Sequence, residues 1–358
     1  MSRAKKVEAW TRASVRALKP YYKAPLEGSP LRLDQNTNLF GANPAIGAVD
    51  ARGIDYTQYP TRDGDALLDA LSLYHGLDEA HFTLGNGSDE SLDLLVKTFC
   101  EPGDTLAVTQ PTYSLYPFYA ALQDLKLAEV PLDARFGLDV DGLLDAGGKV
   151  TLVASPNNPT GNRFRDGELR RLIEEADGIV VVDEAYIEYA GHEHSLLDEV
   201  ERHDNLIIMR TFSKAHGLAG LRIGYLVANR ELSARLRVVK PPFNLNTYSE
   251  AVAAAALQDD AWMRQGVLTV MEERERLAAA LHGRGFHVFP SDANFLLTRP
   301  PAGFDAGHLA DGLRRRSILA RTFAGKPRLH DLIRFTVGGP EHSDALLAAL
   351  DAILKEAR

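Results

Sequence analysis

The sequence contains a single cysteine, Cys100, and so cannot form an internal disulfide bond. Its place in the apolar run LDLLVKTFC predicts a packed thiol rather than a nucleophile. No stretch approaches the ~18 uninterrupted apolar residues needed to cross a bilayer. The N-terminus, MSRAKKVEAW, also lacks the apolar core of a signal peptide. We therefore expect a cytoplasmic protein that has no membrane partner.

Positive charge is scarce as well. Lysine and arginine number 40 against 49 aspartate and glutamate residues, for a formal net charge of −9. Nucleic-acid binding needs clustered positive charge, so we expect no such partner. With 358 residues, of which 45% are hydrophobic, the chain can form one large or two medium domains. This composition favours a globular protein that acts on small molecules.

The middle of the chain alternates apolar runs with helical patterns. Leu169, Leu172, Ile173 and Ala176, for example, have the spacing of an amphipathic helix. Nearly continuous apolar runs are typical of strands in a parallel sheet that is covered on both faces. Five such runs lie at 105–109, 149–155, 178–186, 205–211 and 222–228. The predicted fold class is therefore α/β, with a mostly parallel central sheet covered by helices and a smaller α/β domain.

The pattern changes near residue 250. A long helical region is followed there by a strand at 286–300, a helix at 306–318, a strand at 332–339 and a final helix at 344–358. We predict a large domain at 45–255. Residues 1–44 and 256–358 are predicted to form a small domain with an N-terminal arm.

Two polar clusters follow proposed strands or open helices, where an α/β fold places its ligands. In LGNGSDESLDLL, Gly87 and Ser88 begin a helix whose free N–H groups suit an anion such as phosphate, although an ordinary serine cap would give the same pattern. In ASPNNPTGN, Asn157 and Asn158 place amides in a turn rich in proline and glycine. Either cluster alone is compatible with a purely structural role.

Two further clusters carry charge. Asp183 ends the apolar run in VVVDEAY, and a buried carboxylate needs a partner, whether a ligand or a structural salt bridge. Lys214 lies in TFSKAHGLAGLRIGY, where Thr211, Ser213 and Arg222 could hold a phosphate. Pyridoxal phosphate is one ligand that uses all four clusters, because it has a phosphate, an aldehyde, a ring nitrogen and a phenolic oxygen.

The motifs SPNNPTG, DEAY and SKAHGLAGLRIGY, in this order, resemble the signature of fold-type-I pyridoxal-phosphate aminotransferases of class I/II. The segments LDQNTNLFGANP, PTYSLYPFYA, SDANFLLTR and IRFTVGG are similar to the histidinol-phosphate aminotransferase branch. The resemblance implies ping-pong transamination of histidinol phosphate with 2-oxoglutarate, as part of histidine biosynthesis. An aromatic aminotransferase and a threonine-phosphate decarboxylase remain alternatives. A regulator with the same fold is disfavoured, because only about 30 residues precede LRLDQN.

The resemblance also implies residue roles. Lys214 would link covalently to the cofactor and then move a proton as acid and base, while Asp183 would pair with the pyridine nitrogen. Asn158 and Tyr186 would hydrogen-bond the phenolic oxygen, and Tyr113 would stack on the ring. The residues that would hold the phosphate are Gly87, Ser88, Thr211, Ser213, Arg222 and, from the partner subunit of a homodimer, Tyr59.

For the substrate, the resemblance implies that Arg321 and Arg334 bind its anionic groups. Tyr21, or Tyr22 in its place, and Asn36 would complete the pocket. The chain reads NTNLFG where the branch commonly reads NENPYG, and this departure suggests that Phe40 favours an aromatic substrate. No metal is expected, since the segment around His192 and His194 is polar and typical of a solvated loop.

Overall fold

The computed structural model describes residues 2–18, 29–60 and 65–356, and elements are numbered here in chain order. The strands of the described ranges are β1 (Leu31–Leu33), β2 (Phe82–Gly85), β3 (Thr105–Gln110), β4 (Lys126–Pro131), β5 (Val150–Ala154), β6 (Ile179–Asp183), β7 (Leu206–Thr211), β8 (Gly224–Ala228), β9 (His287–Val288), β10 (Phe295–Arg299), β11 (Ile318–Thr322) and β12 (Ile333–Thr336). The helices of the same ranges are α1 (Arg3–Trp10), α2 (Ala13–Arg16), α3 (Ala45–Ala48), α4 (Asp65–His75), α5 (Ser88–Phe99), α6 (Leu115–Leu122), α7 (Val140–Asp145), α8 (Asp166–Glu175), α9 (Arg230–Val239), α10 (Thr247–Gln258), α11 (Ala261–His282), α12 (Ala306–Arg314) and α13 (Pro340–Glu356). None of these helices is long and apolar enough to span a bilayer.

In the described part of the chain, seven strands form the larger sheet, in the order β2-β8-β7-β6-β5-β3-β4. The pairs from β7 to β4 are parallel, whereas β8 runs antiparallel to both of its neighbours, β7 and β2. The prediction of an α/β fold with a mostly parallel sheet is confirmed, and each of the five predicted runs contains a strand. The sequence reading missed β2 and β4.

Both faces of this sheet are buried. Along β6, Val180 and Val182 pack into one apolar cluster, while Val181 packs into the cluster on the opposite face. This alternation explains why residues 179–182 are all apolar, because each side chain meets a helical layer whichever way it points. On α8, Leu169, Leu172 and Ile173 are buried as predicted, while Ala176 follows the last helical residue.

The smaller sheet has the order β1-β11-β12-β10-β9 among the described residues. Strand β1 is parallel to β11, and the other pairs are antiparallel. The single strand expected at 286–300 is two strands, β9 and β10. The C-terminal end of the helix expected at 306–318 was wrong, because α12 ends at Arg314 and Ile318 is the first residue of β11. The N-terminal β1 thus lies with C-terminal elements, although the domain boundaries at 45 and 255 stay a prediction.

Candidate active site

Lys214 lies in a tight turn between β7 and β8. The turn, residues 212–218, reverses at Gly217, whose φ of +68° is easily adopted only without a side chain. The Lys214 Nζ donates a hydrogen bond of 3.2 Å to the carbonyl oxygen of Gln35 and lies 5.6 Å from the centre of the Tyr186 ring. Strand β7 therefore delivers this amine into the space beyond the carboxyl ends of the parallel strands.

Asp183 ends the neighbouring strand, β6, and is buried. Its Oδ2 accepts a hydrogen bond of 2.7 Å from the hydroxyl of Tyr116, and its Oδ1 accepts one of 3.0 Å from the N–H of Ala185. Burial raises the pKa of Asp183 to about 6, although both hydrogen bonds and the charge of Lys214 oppose the rise. The carboxylate is thus buried, oriented and near the lysine.

The following residue, Glu184, has a different role. Its Oε2 lies 2.8 Å from Nη2 of the buried Arg210, and its Oε1 accepts a hydrogen bond from the N–H of Leu196. The salt-bridge interpretation that was open for the DEAY cluster therefore describes Glu184, while Asp183 faces the cavity. The two asparagines of the ASPNNPTGN turn differ in the same way. Asn157 is fully buried and bonds to Pro111, Thr112 and Thr160, whereas Asn158 lines the cavity.

A narrow corner lies between the start of α5 and strand β8. Gly87 precedes α5 with a φ of +81°, and a Cβ there would lie 2.5 Å from Nη2 of Arg222. A Cβ on Gly224 would lie 2.6 Å from the amide nitrogen of Ser88. These close approaches require glycine, and they place a guanidinium beside the free N–H groups of a helix N-terminus. Arg222 also pairs with Asp89 at 3.0 Å.

Two hydroxyl groups lie at the end of β7, next to this corner. The Thr211 Oγ1 donates to the Oγ of Ser213 at 3.0 Å and accepts a hydrogen bond from the backbone N–H of Ser213 at 3.1 Å. Both residues are buried, and both line the same cavity as Ser88 and Arg222. The corner therefore offers hydroxyls, backbone N–H groups and one cation, which together suit a phosphate.

Asn158, Tyr186 and Asn36 line the same cavity as the lysine. The Nδ2 of Asn36 donates to the hydroxyl oxygen of Tyr186 at 3.1 Å. The Oδ1 of Asn158 accepts a hydrogen bond of 2.5 Å from Nη1 of Arg334. Tyr113 lies farther along the cavity, with its ring edge-on to that of Tyr116 at 5.6 Å.

Arg334 and Arg321 are direct cross-strand partners on β12 and β11. Directly opposite residues of antiparallel strands project from the same face of a sheet, so the two cations are neighbours. Arg334 is buried and Arg321 is exposed, and both pack near the ring of Phe323, at 6.0 and 5.9 Å. The small sheet thus contributes two positive charges to the cavity.

One cavity of about 820 Å³ joins these groups. The predicted site residues that line it are Asn36, Ser88, Tyr113, Asn158, Asp183, Tyr186, Thr211, Ser213, Lys214, Arg222, Arg321 and Arg334. Two described site residues are not in the lining. Gly87 directly precedes Ser88 in the chain, and Tyr59 is 77% exposed and stacks on Phe243. Tyr21 and Tyr22 lie outside the described residues.

Some residues of the site were not predicted from the sequence. Tyr116 contacts Asp183, but its position in an apolar helix segment resembles any core tyrosine. Gln110 and Glu129 line the cavity and bond to each other at 3.1 Å, and nothing in the sequence marks them. Phe40 was given a substrate role that the structure does not support: it packs against Gly266 of α11, outside the described lining.

His192 and His194 were expected to lie in a solvated loop. His194 is not fully solvated, since its Nδ1 lies 3.1 Å from Oδ2 of Asp166. Among the described residues, no group of three or more histidine, cysteine, aspartate or glutamate side chains is arranged to hold a metal ion.

Comparison with known proteins places this geometry in context. The family model described as "Aminotransferase class I and II" matches residues 30–350. A histidinol-phosphate aminotransferase of Roseiflexus castenholzii is 40% identical over 365 aligned residues, which cover 96% of this chain and 97% of that protein. Histidinol-phosphate aminotransferase 1 of Trichormus variabilis is 37% identical, with 96% and 99% covered. The solved structure of histidinol-phosphate aminotransferase from Sinorhizobium meliloti, in complex with pyridoxal-5'-phosphate, matches with a TM-score of 0.88 at 25% identity, covering 98% of this chain and 99% of that one.

Proposed function

Because the chain belongs to the class I and II aminotransferase family, we propose that its amino donor is histidinol phosphate and its acceptor is 2-oxoglutarate. The chain is a pyridoxal-phosphate-dependent aminotransferase of fold type I, as the resemblance implied. The choice of substrate rests on one observation above all. Two arginines from adjacent strands lie side by side in the same cavity as the lysine.

The cavity fits the cofactor. The corner that glycine keeps open beside Arg222 suits its phosphate, and the buried Asp183 suits a protonated ring nitrogen. Bound pyridoxal phosphate supplies an electrophilic carbon and an electron-withdrawing ring to the reaction. Ser88, Thr211 and Ser213 would donate hydrogen bonds to the phosphate, and Tyr113 would pack on the ring.

The existing hydrogen bonds determine which atoms remain available. Arg334 occupies Oδ1 of Asn158, so the Nδ2 group of this amide is left to donate to the phenolic oxygen. Tyr186 accepts from Asn36 through its oxygen, and its own O–H hydrogen is therefore free to donate to that same acceptor. Both donors stabilise negative charge on the phenolic oxygen.

Lys214 carries the proton transfer. Once the substrate amine has taken its place, its Nζ would carry the proton between the substrate Cα and the aldehyde carbon of the bound cofactor, in one direction with the amino donor and in reverse with the 2-oxo acid. In its ionised form, Asp183 would stabilise the positive charge of a protonated ring nitrogen. The Lys214 amine has an acceptor in the Gln35 carbonyl, which holds it inside the cavity.

Arg321 and Arg334 together match a phosphate dianion. Each hydrogen bond to a charged group contributes ~1.5–3 kcal/mol, so the pair favours phosphorylated over neutral donors by a large factor. The same two cations would bind the carboxylates of 2-oxoglutarate in the second half-reaction. One site thus serves both substrates of a ping-pong cycle.

We also propose that the enzyme is a cytoplasmic homodimer. Tyr59 stacks on Phe243 with ring centres 5.0 Å apart, yet lies outside the cavity of its own chain. This placement supports a contact between Tyr59 and the cofactor phosphate of the partner subunit. Sedimentation measurements test the assembly: a monomer that retains full activity would contradict the proposal.

A half-reaction panel tests the substrate. The absorbance of the bound cofactor is followed while histidinol phosphate, histidinol, phenylalanine or threonine phosphate is added. We expect histidinol phosphate to react fastest. In Arg321→Gln, its kcat/KM should fall by ~10–150-fold, while that for histidinol changes by less than about threefold. Equal losses would contradict the phosphate assignment. A faster reaction of phenylalanine, or carbon dioxide release from threonine phosphate, would favour the alternatives.

A further inference from the structure

The segment 34–43, called here the strap, lies across the turn that carries the active lysine. It leaves β1 of the small sheet and ends at α3. Three of its polar groups meet three consecutive residues of the turn in register. The Gln35 carbonyl accepts from Lys214 Nζ at 3.2 Å, and the Asn38 Nδ2 donates to the Ala215 carbonyl oxygen at 3.0 Å. The Asn43 Nδ2 donates to the His216 carbonyl oxygen at 2.8 Å.

The side-chain amides of Asn38 and Asn43 satisfy two buried carbonyl groups of the turn. Ala215 and His216 are both buried, and a buried carbonyl group requires a donor. The carbonyls lie beyond the end of β7, where the ladder of the sheet no longer supplies N–H groups. Side chains of the strap therefore complete the hydrogen bonding of the residues directly after Lys214.

The strap side chains are themselves fixed. The Oδ1 of Asn38 accepts from the N–H of Phe40 at 2.8 Å, and the Oδ1 of Asn43 accepts from the N–H of Ala45 at 2.9 Å. In each case one end of the amide is bound by a donor and the other by an acceptor, which leaves a single orientation. A flipped amide would lose both bonds.

Close packing also restrains the turn. A Cβ on Gly217 would lie 2.9 Å from Cη2 of Trp262 and 3.4 Å from Cβ of Asn38. The turn is therefore held between the strap on one side and α11 on the other. Neither Asn38 nor Asn43 lines the described cavity, so their effect on the reaction must pass through the turn.

We propose that Asn38 and Asn43 are positioning residues that fix the lysine turn, and so the place of the Lys214 amine, through the carbonyl groups of Ala215 and His216. This inference rests on the proposed role of Lys214. A shift of the proton-carrying amine by ~1 Å is enough to cost about 100-fold in rate, because the reacting atoms must approach within a narrow range. Loss of either amide should therefore lower kcat and leave substrate binding at the arginines nearly intact.

Aspartate is the informative replacement. Asn38→Asp and Asn43→Asp keep the Oδ1 acceptor and the side-chain shape, but remove the donor to the turn. Asn38→Ala and Asn43→Ala remove the donor without adding a charge, so an effect shared by both replacements belongs to the lost hydrogen bond. Asn229→Asp is the matched control. Its Oδ1 accepts from Leu232 and its Nδ2 donates to a carbonyl oxygen, that of His203, away from the site.

The first measurement uses the protein without cofactor or substrate. Within the turn, the N–H of Gly217 bonds to the Lys214 carbonyl oxygen and that of Leu218 to the Phe212 carbonyl oxygen. Hydrogen exchange of the peptide covering 212–218 should be roughly five- to tenfold faster in the strap variants than in wild type, as expected for one lost hydrogen bond. The control variant should exchange at the wild-type rate in this peptide.

The second measurement is steady-state kinetics with the best donor of the panel. We expect kcat to fall ~10–100-fold, with KM changed by less than about threefold and with the control unaffected. Unchanged exchange, or faster exchange with an unchanged kcat, would overturn the proposal. The exchange result does not depend on the substrate. An error in the proposed function would therefore appear in the panel and leave this test standing.

Discussion

Replacing Tyr116 with phenylalanine should make cofactor binding depend on pH in a defined way. The Tyr116 hydroxyl donates a 2.7 Å hydrogen bond to Asp183, and both side chains are buried. Burial already raises the pKa of Asp183 to about 6, and this bond is one of the interactions that limit the rise. A hydrogen bond to a charged group contributes ~1.5–3 kcal/mol, which corresponds to about one to two pKa units. In Tyr116→Phe, the pKa of Asp183 should therefore be higher than in wild type by about this amount.

The sign of the effect follows from linkage. A cofactor whose ring nitrogen carries a proton binds the ionised form of Asp183, so its apparent Kd rises as pH falls below the pKa of that carboxyl group. Above about pH 9 both proteins are ionised at Asp183, and the ratio of their Kd values should approach one. Toward pH 5 the ratio should increase to ~10–100, because the variant loses the ionised form at a higher pH.

The assay is a titration of the cofactor-free protein with pyridoxal phosphate at a series of pH values. Comparing the variant with wild type at each pH cancels the ionisation of the cofactor itself. Tyr119→Phe is a suitable control, since Tyr119 lies on the same helix, α6, and is only partly buried. A ratio that is the same at pH 5 and pH 9 would refute the assigned link between Tyr116 and Asp183.

Other predictions concern the lysine, the carboxylate and a second buried acid. Lys214→Ala should bind the cofactor but lose the borohydride-reducible link to it, and a retained link would mean that another amine is used. Asp183→Asn should bind the cofactor with a higher Kd and, when saturated with it, should have a kcat lower by at least ~100-fold, as judged by single-turnover rates. Burial raises the pKa of Glu188 to about 7, so its stabilising contribution is present at pH 4.5 and is lost as pH rises through 7. Glu188→Gln should therefore gain about 2–3 kcal/mol relative to wild type between pH 5 and pH 8 in urea unfolding, and a constant difference would contradict this.

Elements buried on both faces were the most predictable from the sequence. Strands β5, β6 and β7 are apolar at most positions because helices cover both sides of the sheet. Strand β4 was missed, and only one of its residues, Val130, is fully buried. Strand β8 has the same apolar pattern as the parallel strands of the sheet, but it runs antiparallel to β7, to which it is joined by the short connection that contains Lys214. A hydrophobic pattern carries no information about strand direction.

The site was predictable where chemistry restricts the residue type. Burying a lysine, aspartate or arginine costs free energy, so such a residue at the end of an apolar strand indicates a functional or structural partner. Tyr116 and Asn38 do not stand out, because tyrosine is ordinary in a core helix and asparagine is ordinary in a loop. Their roles depend on partners 67 and 177 positions away in the chain, which only the fold brings together.

The NTNLFG segment contains residues that line the cavity and residues that contact other parts of the fold. Its departure from NENPYG appeared to concern the substrate, yet Phe40 packs on α11, and Asn38, which the two sequences share, contacts the turn that carries Lys214. Only Asn36 and Thr37 of this segment line the described cavity. A substitution at Asn38 is therefore expected to act on the turn that carries Lys214 and not on a residue of the cavity lining. Differences in substrate preference should instead follow from residues that line the cavity, such as Arg321, Gln110 and Glu129.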